Sequence, residues 1–309
     1  MTTAVVFAYG EVGVRCLRVL LRHRVQVQLV FSHEDDPAET LWYGSVAETA
    51  RASRIAVVMP ADPNGGAWVD QVGQLRPDFL FSFYYRQMLC DDLLATANRG
   101  ALNMHGSLLP KYRGRAPVNW AIIHGETETG ASLHYMQTKP DAGPLVGQER
   151  LPIRLNDTAV DVFFKLADAA ERLLDRCLPD LIDGRATSTP LDLAAGSYFG
   201  RRRPEDGRIS WDSPALAIHN LIRAVAPPFP GAFGTRGSQT FRLLGSRYGA
   251  DPARFPQSAP CLYADDVTLH LDCVDGRRLT LTSVELDGEP LTPASFVNRC
   301  GAGPLSLRS

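Results

Sequence analysis

Two polar side chains occupy alternate positions in the stretch ALNMH, residues 101–105, which reads as the end of a buried strand. Because side chains two positions apart in a strand share a face, Asn103 and His105 are expected to project to the same side. The next residues, GSLLPKYRGRAP, are punctuated by glycine and proline and predict a loop. Polar groups at a strand end beside a loop are typical of active sites in α/β proteins. A buried Asn and His beside an ordinary surface loop stays open as the alternative for this stretch alone.

A third polar residue, Asp141, lies in the turn KPDAG. A histidine can act as general base and acid, an aspartate can hold it in one tautomer, and an asparagine N–H suits an oxyanion. The sequence offers no evident nucleophile, since Ser107 lies in no G-x-S-x-G turn and Cys90 has no obvious activating base. This pattern suggests direct transfer through a tetrahedral intermediate, without a covalent adduct on the protein.

Strands and helices alternate along the first part of the chain. The predicted strands are TAVVFAY, VQVQLVFSH, IAVVMP and PDFLFSFYY, and the helices between them are EVGVRCLRVLLRH, GSVAETARAS and AWVDQVGQLR. This alternation predicts a doubly wound, mostly parallel α/β sheet. Gly10 and Gly13 follow the first strand, but the full G-x-G-x-x-G fingerprint is missing. We therefore expect no dinucleotide site.

The pattern changes in the second part of the chain. A helix, PVNWAIIHG, precedes the strands TGASLHYMQ and GPLVGQERLPI and a long amphipathic helix ending at IDG. Beyond the helix LAIHNLIRAVA come short strands with Gly, Asp and Pro turns, which predict a β-rich, open-barrel-like domain. We predict a catalytic domain over 1–190, a linker over 191–210 and the small β domain over 211–309.

Composition narrows the classes of function. The chain has 309 residues and a net charge of −2, which argues against general nucleic-acid binding. Its six cysteines show neither a CxxC pair nor zinc-like spacing, and its histidines form no ligand spacing, so we expect reduced thiols and no metal. The N-terminus does not resemble a signal peptide and no apolar run approaches a membrane span, which predicts a cytoplasmic protein without membrane insertion.

One long stretch of the sequence resembles that of a known enzyme family. NMHGSLLPKYRGRAPVNWAIIHGETETG, followed by LHYMQTKPDAG, resembles the 10-formyltetrahydrofolate-dependent formyltransferases through Asn-x-His, S-L-L-P-x-Y-R-G and a later D-x-G. The resemblance implies an enzyme with a Rossmann-like domain, a small C-terminal β domain and 10-formyltetrahydrofolate as formyl donor. It also implies that Asn103 steadies an oxyanion, His105 shuttles a proton and Asp141 supports the histidine.

Within that family, the likeness is greatest to enzymes that formylate UDP-4-amino-4-deoxy-L-arabinose, the formyltransferase half of a bifunctional polymyxin-resistance protein. It runs from VVFAYGEVG through LWYGSVAETA and PDFLFSFYYRQML to SYFGRRRPEDGRISW and NLIRAVAPPFPGAF. It implies an acceptor that is a nucleotide-linked amino sugar, formylated on its 4-amine, and a role in lipid A modification. The second, dehydrogenase activity of the bifunctional protein is not carried over.

The resemblance also implies binding residues. The predicted folate contacts are Gln87, Met88, Leu89, Arg115, Gln137, Thr138, Lys139, Pro140 and Asp141, and plain core packing stays open for Met88 and Leu89. Candidate contacts to a substrate phosphate or carboxylate are Tyr112, Arg113, Arg201, Arg202 and Arg203. A solvated run of surface charge is the alternative for the last three.

Two other functions are alternatives to sugar formylation. The first is methionyl-tRNA formyltransferase, and the second is a non-catalytic folate- or nucleotide-binding protein. Residues 211–309 carry about as many Asp and Glu as Arg and no Lys, whereas tRNA binding normally needs a basic face. Since Asn103, His105 and Asp141 are all present, we expect an enzyme with a sugar acceptor and no nucleic-acid partner. Whether it is a monomer or a dimer stays open.

Overall fold

The computed structural model describes residues 1–35, 41–255 and 259–308. The chain divides into two compact units that are each discontinuous in sequence. The first unit consists of Met1–Pro117, Glu128–Leu151 and Phe163–Gly200, and the second of Val118–Thr127, Pro152–Val162 and Arg201–Ser309. The boundaries predicted from sequence, 1–190, 191–210 and 211–309, are continuous segments, and as limits of independent domains they stay a prediction.

A seven-stranded sheet organises the first unit in the described part of the chain. Its strands are β1 (Thr3–Ala8), β2 (Gln26–Phe31), β3 (Val57–Val58), β4 (Phe79–Phe83), β5 (Ala101–His105), β7 (Glu128–Tyr135) and β8 (Leu145–Pro152). The order is β3-β2-β1-β4-β5-β7-β8. Strands β1 to β5 pair in parallel, and β7 pairs antiparallel with β5. The predicted mostly parallel sheet is confirmed.

Six helices in the described residues precede or follow these strands. They are α1 (Gly10–Arg22), α2 (Val46–Ala52), α3 (Gly66–Leu75), α4 (Asp91–Leu94), α5 (Pro117–Ile123) and α6 (Ala159–Asp183). Gly13 lets α1 approach α2, because a Cβ there would lie 2.8 Å from Cγ2 of Val46. This packing explains the second glycine of the G-x-x-G without a nucleotide. The four-residue α4 was not predicted, since it is too short to show a helical period.

The core of the first unit explains why its strands read as continuous apolar runs. Phe7 of β1 and Phe31 of β2 are fully buried and stack at 4.4 Å between ring centroids. In β4, all five residues are buried. Parallel strands covered on both faces need no polar alternation, so the carboxyl end of β5 is held by a rigid neighbour on its β4 side.

The second unit contains an open antiparallel sheet. Its strands are β10 (Ala232–Arg236), β11 (Gln239–Pro252), β12 (Cys261–Ala264), β13 (Leu269–Asp272), β14 (Arg277–Leu286), β15 (Glu289–Pro290) and β16 (Leu305–Ser306). The order is β10-β11-β14-β13-β12-β16, with β15 paired to β14. The sheet forms a half-barrel, so the predicted β-rich C-terminal architecture is confirmed.

The second unit takes in most of α5, and two further helices of the described residues lie wholly within it, α7 (Ala215–Ala224) and α8 (Pro293–Cys300). The helix α7 was predicted and α8 was not. A local signal for α8 is present in the sequence: Thr292 caps the helix by accepting from the Ser295 N–H, with proline at the first helical position. No helix in the described residues is both long enough and apolar enough to cross a membrane.

The predicted linker contains ordered backbone pairing. Strand β9 (Tyr198–Phe199) pairs in parallel with β6 (Arg113–Gly114), in the loop that follows β5. The approach is close: Gly114 has φ +95°, and a Cβ there would lie 2.1 Å from the Phe199 carbonyl oxygen. Part of the stretch 191–210 therefore fixes the loop beside Asn103 and His105, and the role of the whole stretch as a linker stays a prediction.

Candidate active site

Three predicted residues meet at the carboxyl end of β5. Asn103 Nδ2 donates to Asp141 Oδ1 at 3.3 Å, and His105 Nδ1 lies 3.5 Å from the same oxygen. The side chains of His105 and Asp141 are 7% and 12% exposed. The structure therefore brings Asn103, His105 and Asp141 together in a largely buried setting.

The tautomer of His105 follows from its backbone contact. Its Nε2 lies 2.8 Å from the carbonyl oxygen of Tyr112. A carbonyl only accepts, so Nε2–H donates, and the lone pair of the neutral ring is on Nδ1. Asp141 was expected from the sequence to orient His105, whereas in the structure the Tyr112 carbonyl does so. The basic nitrogen consequently faces the Asp141 carboxylate.

Tyr112 is itself held firmly by the loop after β5. Its backbone has φ +56°, its N–H donates to Ser197 Oγ at 2.9 Å, and its ring stacks on Phe199 at 5.4 Å between centroids. These contacts position its carbonyl oxygen for His105. Tyr112 was predicted as a substrate contact, and what the geometry shows is its backbone serving the histidine.

Asp141 is an anion in an unusual backbone conformation. Its φ is +49°, and its Oδ2 accepts from the Gly114 N–H at 2.8 Å. Burial alone would raise the pKa of Asp141, but His105, His134 and the Gly114 N–H outweigh burial and hold that pKa well below its usual range. The carboxylate is therefore charged throughout the neutral range and can stabilise a protonated His105.

A second histidine, His134, lies against the same group of residues and was missed from sequence. It stands on β7 directly opposite Asn103 in the antiparallel register. Its Nε2 lies 3.2 Å from Asn103 Nδ2 and 3.5 Å from Asp141 Oδ1. From the sequence, His134 was considered only as a possible metal ligand. The available signal was its place in a predicted strand beside ALNMH, but its partner depends on a register that the sequence does not state.

The predicted folate contacts on the segment after β4 differ in exposure. Gln87 donates from Nε2 to the Ala61 carbonyl oxygen at 2.8 Å, and its Oε1 is buried without a partner in the described residues. Met88 is 52% exposed, whereas Leu89 is 8% exposed and belongs to the apolar core around Val5. The exposed thioether of Met88 is open to a ligand, the Gln87 amide oxygen is unpartnered but covered, and the burial of Leu89 matches plain packing.

The predicted contacts after β7 line an open cavity of about 590 Å³, which also includes Gly100 and Ala101 at the amino end of β5. Gln137, Thr138 and Lys139 belong to its wall, and Thr138 Oγ1 donates to Asp91 Oδ1 at 2.9 Å. The cavity wall does not include residues 87–89, Arg115 or Pro140. Arg115 is exposed and its N–H donates to the Phe199 carbonyl oxygen at 2.9 Å. The structure thus groups residues 137–139 and leaves the other predicted folate residues apart from this cavity.

Arg113 is a buried cation with no ion-pair partner among the described residues. The residue is 8% exposed, and its Nε is buried with no hydrogen-bond partner in the part of the chain that the structure describes. Its guanidinium carbon lies 6.0 Å from the centroid of the Tyr198 ring, and no salt bridge to a described carboxylate accompanies it. A buried, uncompensated charge is costly. An incoming anion would remove that cost.

The predicted arginine cluster belongs to the second unit and is not uniform. Arg201 and Arg203 are exposed, and the Arg203 N–H donates to Asp206 Oδ2 at 2.7 Å. Arg202 is half-buried, with its guanidinium carbon 5.4 Å from the Trp120 ring centroid and its Nε buried with no hydrogen-bond partner among the residues described. Burial lowers the pKa of Arg202, and Asp206 opposes that effect. Arg201 and Arg203 thus match a solvated run of surface charge, and Arg202 does not.

The structure offers little support for a covalent nucleophile. Ser107 is fully buried and its Oγ donates to the Lys111 carbonyl oxygen at 2.6 Å. Burial raises the pKa of the Cys261 thiol to about 11 and takes the pKa values of Cys16 and Cys273 higher still. Within the described residues no group of three or more His, Cys, Asp or Glu side chains is arranged to hold a metal ion.

Solved structures with a similar fold include an N-formyltransferase from Helicobacter canadensis in complex with folinic acid and dTDP-3-aminofucose. It is 21% identical with a TM-score of 0.75, over 91% of this chain and 99% of that chain. A sugar 3-N-formyltransferase in the presence of dTDP and 5-N-formyltetrahydrofolate is 21% identical with a TM-score of 0.72, over 91% and 97%. HypX from Aquifex aeolicus in complex with tetrahydrofolic acid is 15% identical with a TM-score of 0.62, over 98% of this chain and 48% of that chain.

Two family models match the sequence directly. The model described as formyl transferase matches residues 15–178, more than half of the 309 residues. The model described as formyl transferase, C-terminal domain, matches residues 202–301. These matches span the carboxyl end of β5 and the half-barrel of the second unit. The chain belongs to the formyl transferase family.

Proposed function

We propose that this formyltransferase moves a formyl group from 10-formyltetrahydrofolate to the 4-amine of a nucleotide-linked amino sugar, with UDP-4-amino-4-deoxy-L-arabinose as the first candidate. The observation that carries the proposal is the convergence of Asn103 Nδ2 and His105 Nδ1 on Asp141 Oδ1, at 3.3 and 3.5 Å. Similar folds bind folates together with dTDP or a dTDP-sugar, which supports this pair of substrates.

Proton transfer is the task of His105 in this proposal. The neutral amine of the sugar attacks the formyl carbon and forms the new C–N bond. His105 Nδ1, whose lone pair is set by the Tyr112 carbonyl, takes the amine proton and returns it to N10 of the folate as the old C–N bond breaks. The Asp141 carboxylate, 3.5 Å away, stabilises the intervening imidazolium.

Asn103 would stabilise the oxyanion of the tetrahedral intermediate. Its Nδ2 now contacts His134 at 3.2 Å and Asp141 at 3.3 Å. The longer contact to Asp141 can be exchanged for the oxyanion while the contact to His134 keeps the amide in place. Hydrogen-bond donors that are held in position for the charge of the transition state usually make the largest single contribution to such catalysis.

Binding of the two substrates would use separate groups of residues. We assign the folate to the amide edge of Gln87 and to the cavity wall at residues 137–139. The buried guanidinium of Arg113 suits an acidic group of the acceptor, because guanidinium pairs with phosphate in a bidentate manner. The remaining proposed contacts are Met88, Leu89, Tyr112, Arg115, Pro140, Asp141, Arg201, Arg202 and Arg203.

The proposal places the reaction in the cytoplasm, where the formylated sugar would serve lipid A modification and polymyxin resistance. It needs no metal and no nucleic-acid partner. The balanced charge of residues 211–309, which hold no lysine, favours a small acceptor over tRNA because phosphate neutralisation supplies most of the affinity for nucleic acid.

The test is a comparison of acceptors. Purified protein is given 10-formyltetrahydrofolate and a panel of 4-amino and 3-amino sugars linked to UDP, dTDP or GDP, and both tetrahydrofolate and the formamide are measured. We expect the UDP-linked 4-amino pentose to react fastest and the free amino sugar much more slowly, because the nucleotide supplies binding energy that fixes the amine. Efficient formylation of initiator methionyl-tRNA, with every sugar left untouched, would overturn the proposal.

A further inference from the structure

The orientation of the Asn103 amide depends on a residue outside the predicted three. An amide side chain can turn by half a revolution, which exchanges its N–H donors for its carbonyl oxygen. In the structure Asn103 Nδ2 faces both His134 Nε2 and Asp141 Oδ1. The reversed amide would place an oxygen against the Asp141 carboxylate and against a developing oxyanion. What selects one orientation therefore matters for the reaction.

His134 is arranged to select it. Its Nδ1 lies 2.8 Å from the Tyr135 carbonyl oxygen, so Nδ1–H donates and Nε2 of the neutral ring carries the lone pair. That lone pair can only accept, and the donor that meets it is Asn103 Nδ2 at 3.2 Å. The His134 side chain is 2% exposed, so water cannot readily replace it as the acceptor.

We infer that His134 is a positioning residue for formyl transfer: its neutral imidazole holds the Asn103 amide with the N–H groups directed toward the oxyanion position. The inference rests on the proposed function. His134 touches neither substrate in this scheme and acts through Asn103.

Two substitutions of similar size separate positioning from packing. In His134→Gln the side-chain oxygen can still accept from Asn103, whereas His134→Leu has no acceptor. We expect the leucine variant to lose about 10- to 100-fold in kcat, a part of the 10²–10³ that an oxyanion donor is worth, with little change in KM for either substrate. The glutamine variant should stay within about fivefold of wild type.

A matched control and a double variant sharpen the test. His23→Leu removes a histidine of the same unit that bonds to Asp175 Oδ1 at 2.8 Å, and we expect wild-type kcat from it. If His134 acts through Asn103, adding His134→Leu to Asn103→Ala should cost no further activity. Multiplied losses in the double variant, or wild-type kcat in His134→Leu, would overturn the inference.

A readout without turnover keeps this inference separate from the proposed function. In 15N-labelled protein, the side-chain amide protons of Asn103 should exchange slowly with solvent in wild type and His134→Gln and much faster in His134→Leu. Unchanged exchange in the leucine variant contradicts the positioning role, whatever the substrate is. Absence of formyl transfer in wild type with every amino sugar contradicts the proposed function and leaves the exchange result to decide on His134.

Discussion

The two units each bury a group of polar side chains, and the groups differ in how completely they are satisfied. In the second unit, His219 Nδ1 bonds to Ser246 Oγ at 2.8 Å and its Nε2 to the Leu155 carbonyl oxygen at 3.0 Å. Arg223 Nε donates to Asn220 Oδ1 at 2.9 Å. Every one of these atoms has its own partner at normal distance, as a structural network requires.

The first unit shows the opposite arrangement around Asp141. One carboxylate oxygen faces Asn103, His105 and His134 at 3.3 to 3.5 Å, and the nearby Arg113 has a buried Nε without a partner in the described residues. Shared and long contacts leave donors that a substrate can engage. Incomplete hydrogen-bond satisfaction, more than burial of polar groups as such, distinguishes the candidate active site from the structural network.

The largest expected effect is the contrast between His105, in the group around Asp141, and His219, in the network of the second unit. His105→Asn should lower kcat by about 10²–10⁴, the usual contribution of general acid–base catalysis, without loss of melting temperature. His219→Gln should instead lower the melting temperature and leave kcat near wild type. Steady-state kinetics and thermal melts of both variants test the contrast, and wild-type kcat in His105→Asn would break it.

Asn103→Ala should follow, with a loss of about 10²–10³ in kcat if the amide meets the oxyanion. The matched control is Asn220→Ala in the second unit, which removes the acceptor of Arg223 and should affect stability alone. A change confined to KM in Asn103→Ala would mean that the amide only positions substrate.

Arg113→Gln should act on binding. A hydrogen bond to a charged group contributes about 1.5–3 kcal/mol, so we expect KM for the nucleotide sugar to rise about 10- to 100-fold. The melting temperature should stay or rise, because a buried charge without a partner is removed. The exposed Arg185, which pairs with Asp180 and Asp183, is the control: Arg185→Gln should leave KM unchanged. A lower melting temperature with unchanged KM in Arg113→Gln would contradict the assignment.

The smallest effect is a difference in pH dependence. Burial lowers the pKa of His219 from 6.5 to about 4; the Leu155 carbonyl opposes this and Arg223 adds to it. The unfolded chain therefore binds the extra proton first, and stability should fall as pH drops from 6.5 toward 4. Asp141 has a lowered pKa, so its contribution is complete above its ordinary value of 3.8 and is lost only below it. Melts between pH 7 and 5 should show a flatter curve for His219→Gln and an unchanged slope for Asp141→Asn.

The sequence predicted what local patterns encode. Buried strands such as β4 show as apolar runs, and Asn103 and His105 show as alternate polar residues at the end of one. It could not predict His134 as the partner of Asn103, because the pair depends on the register between β5 and β7. The backbone pairing of Arg113 with Tyr198 could not be predicted either, because a two-residue strand is too short to show a periodic pattern.

The most direct test of the central claim follows a carbon-13 formyl label from 10-formyltetrahydrofolate to UDP-4-amino-4-deoxy-L-arabinose, with wild type and His105→Asn in the same assay. We predict that wild type forms tetrahydrofolate and labelled formamide in equal amounts, and that His105→Asn forms both at least about 100-fold more slowly. Tetrahydrofolate without formamide, or an undiminished rate in the variant, would contradict the account.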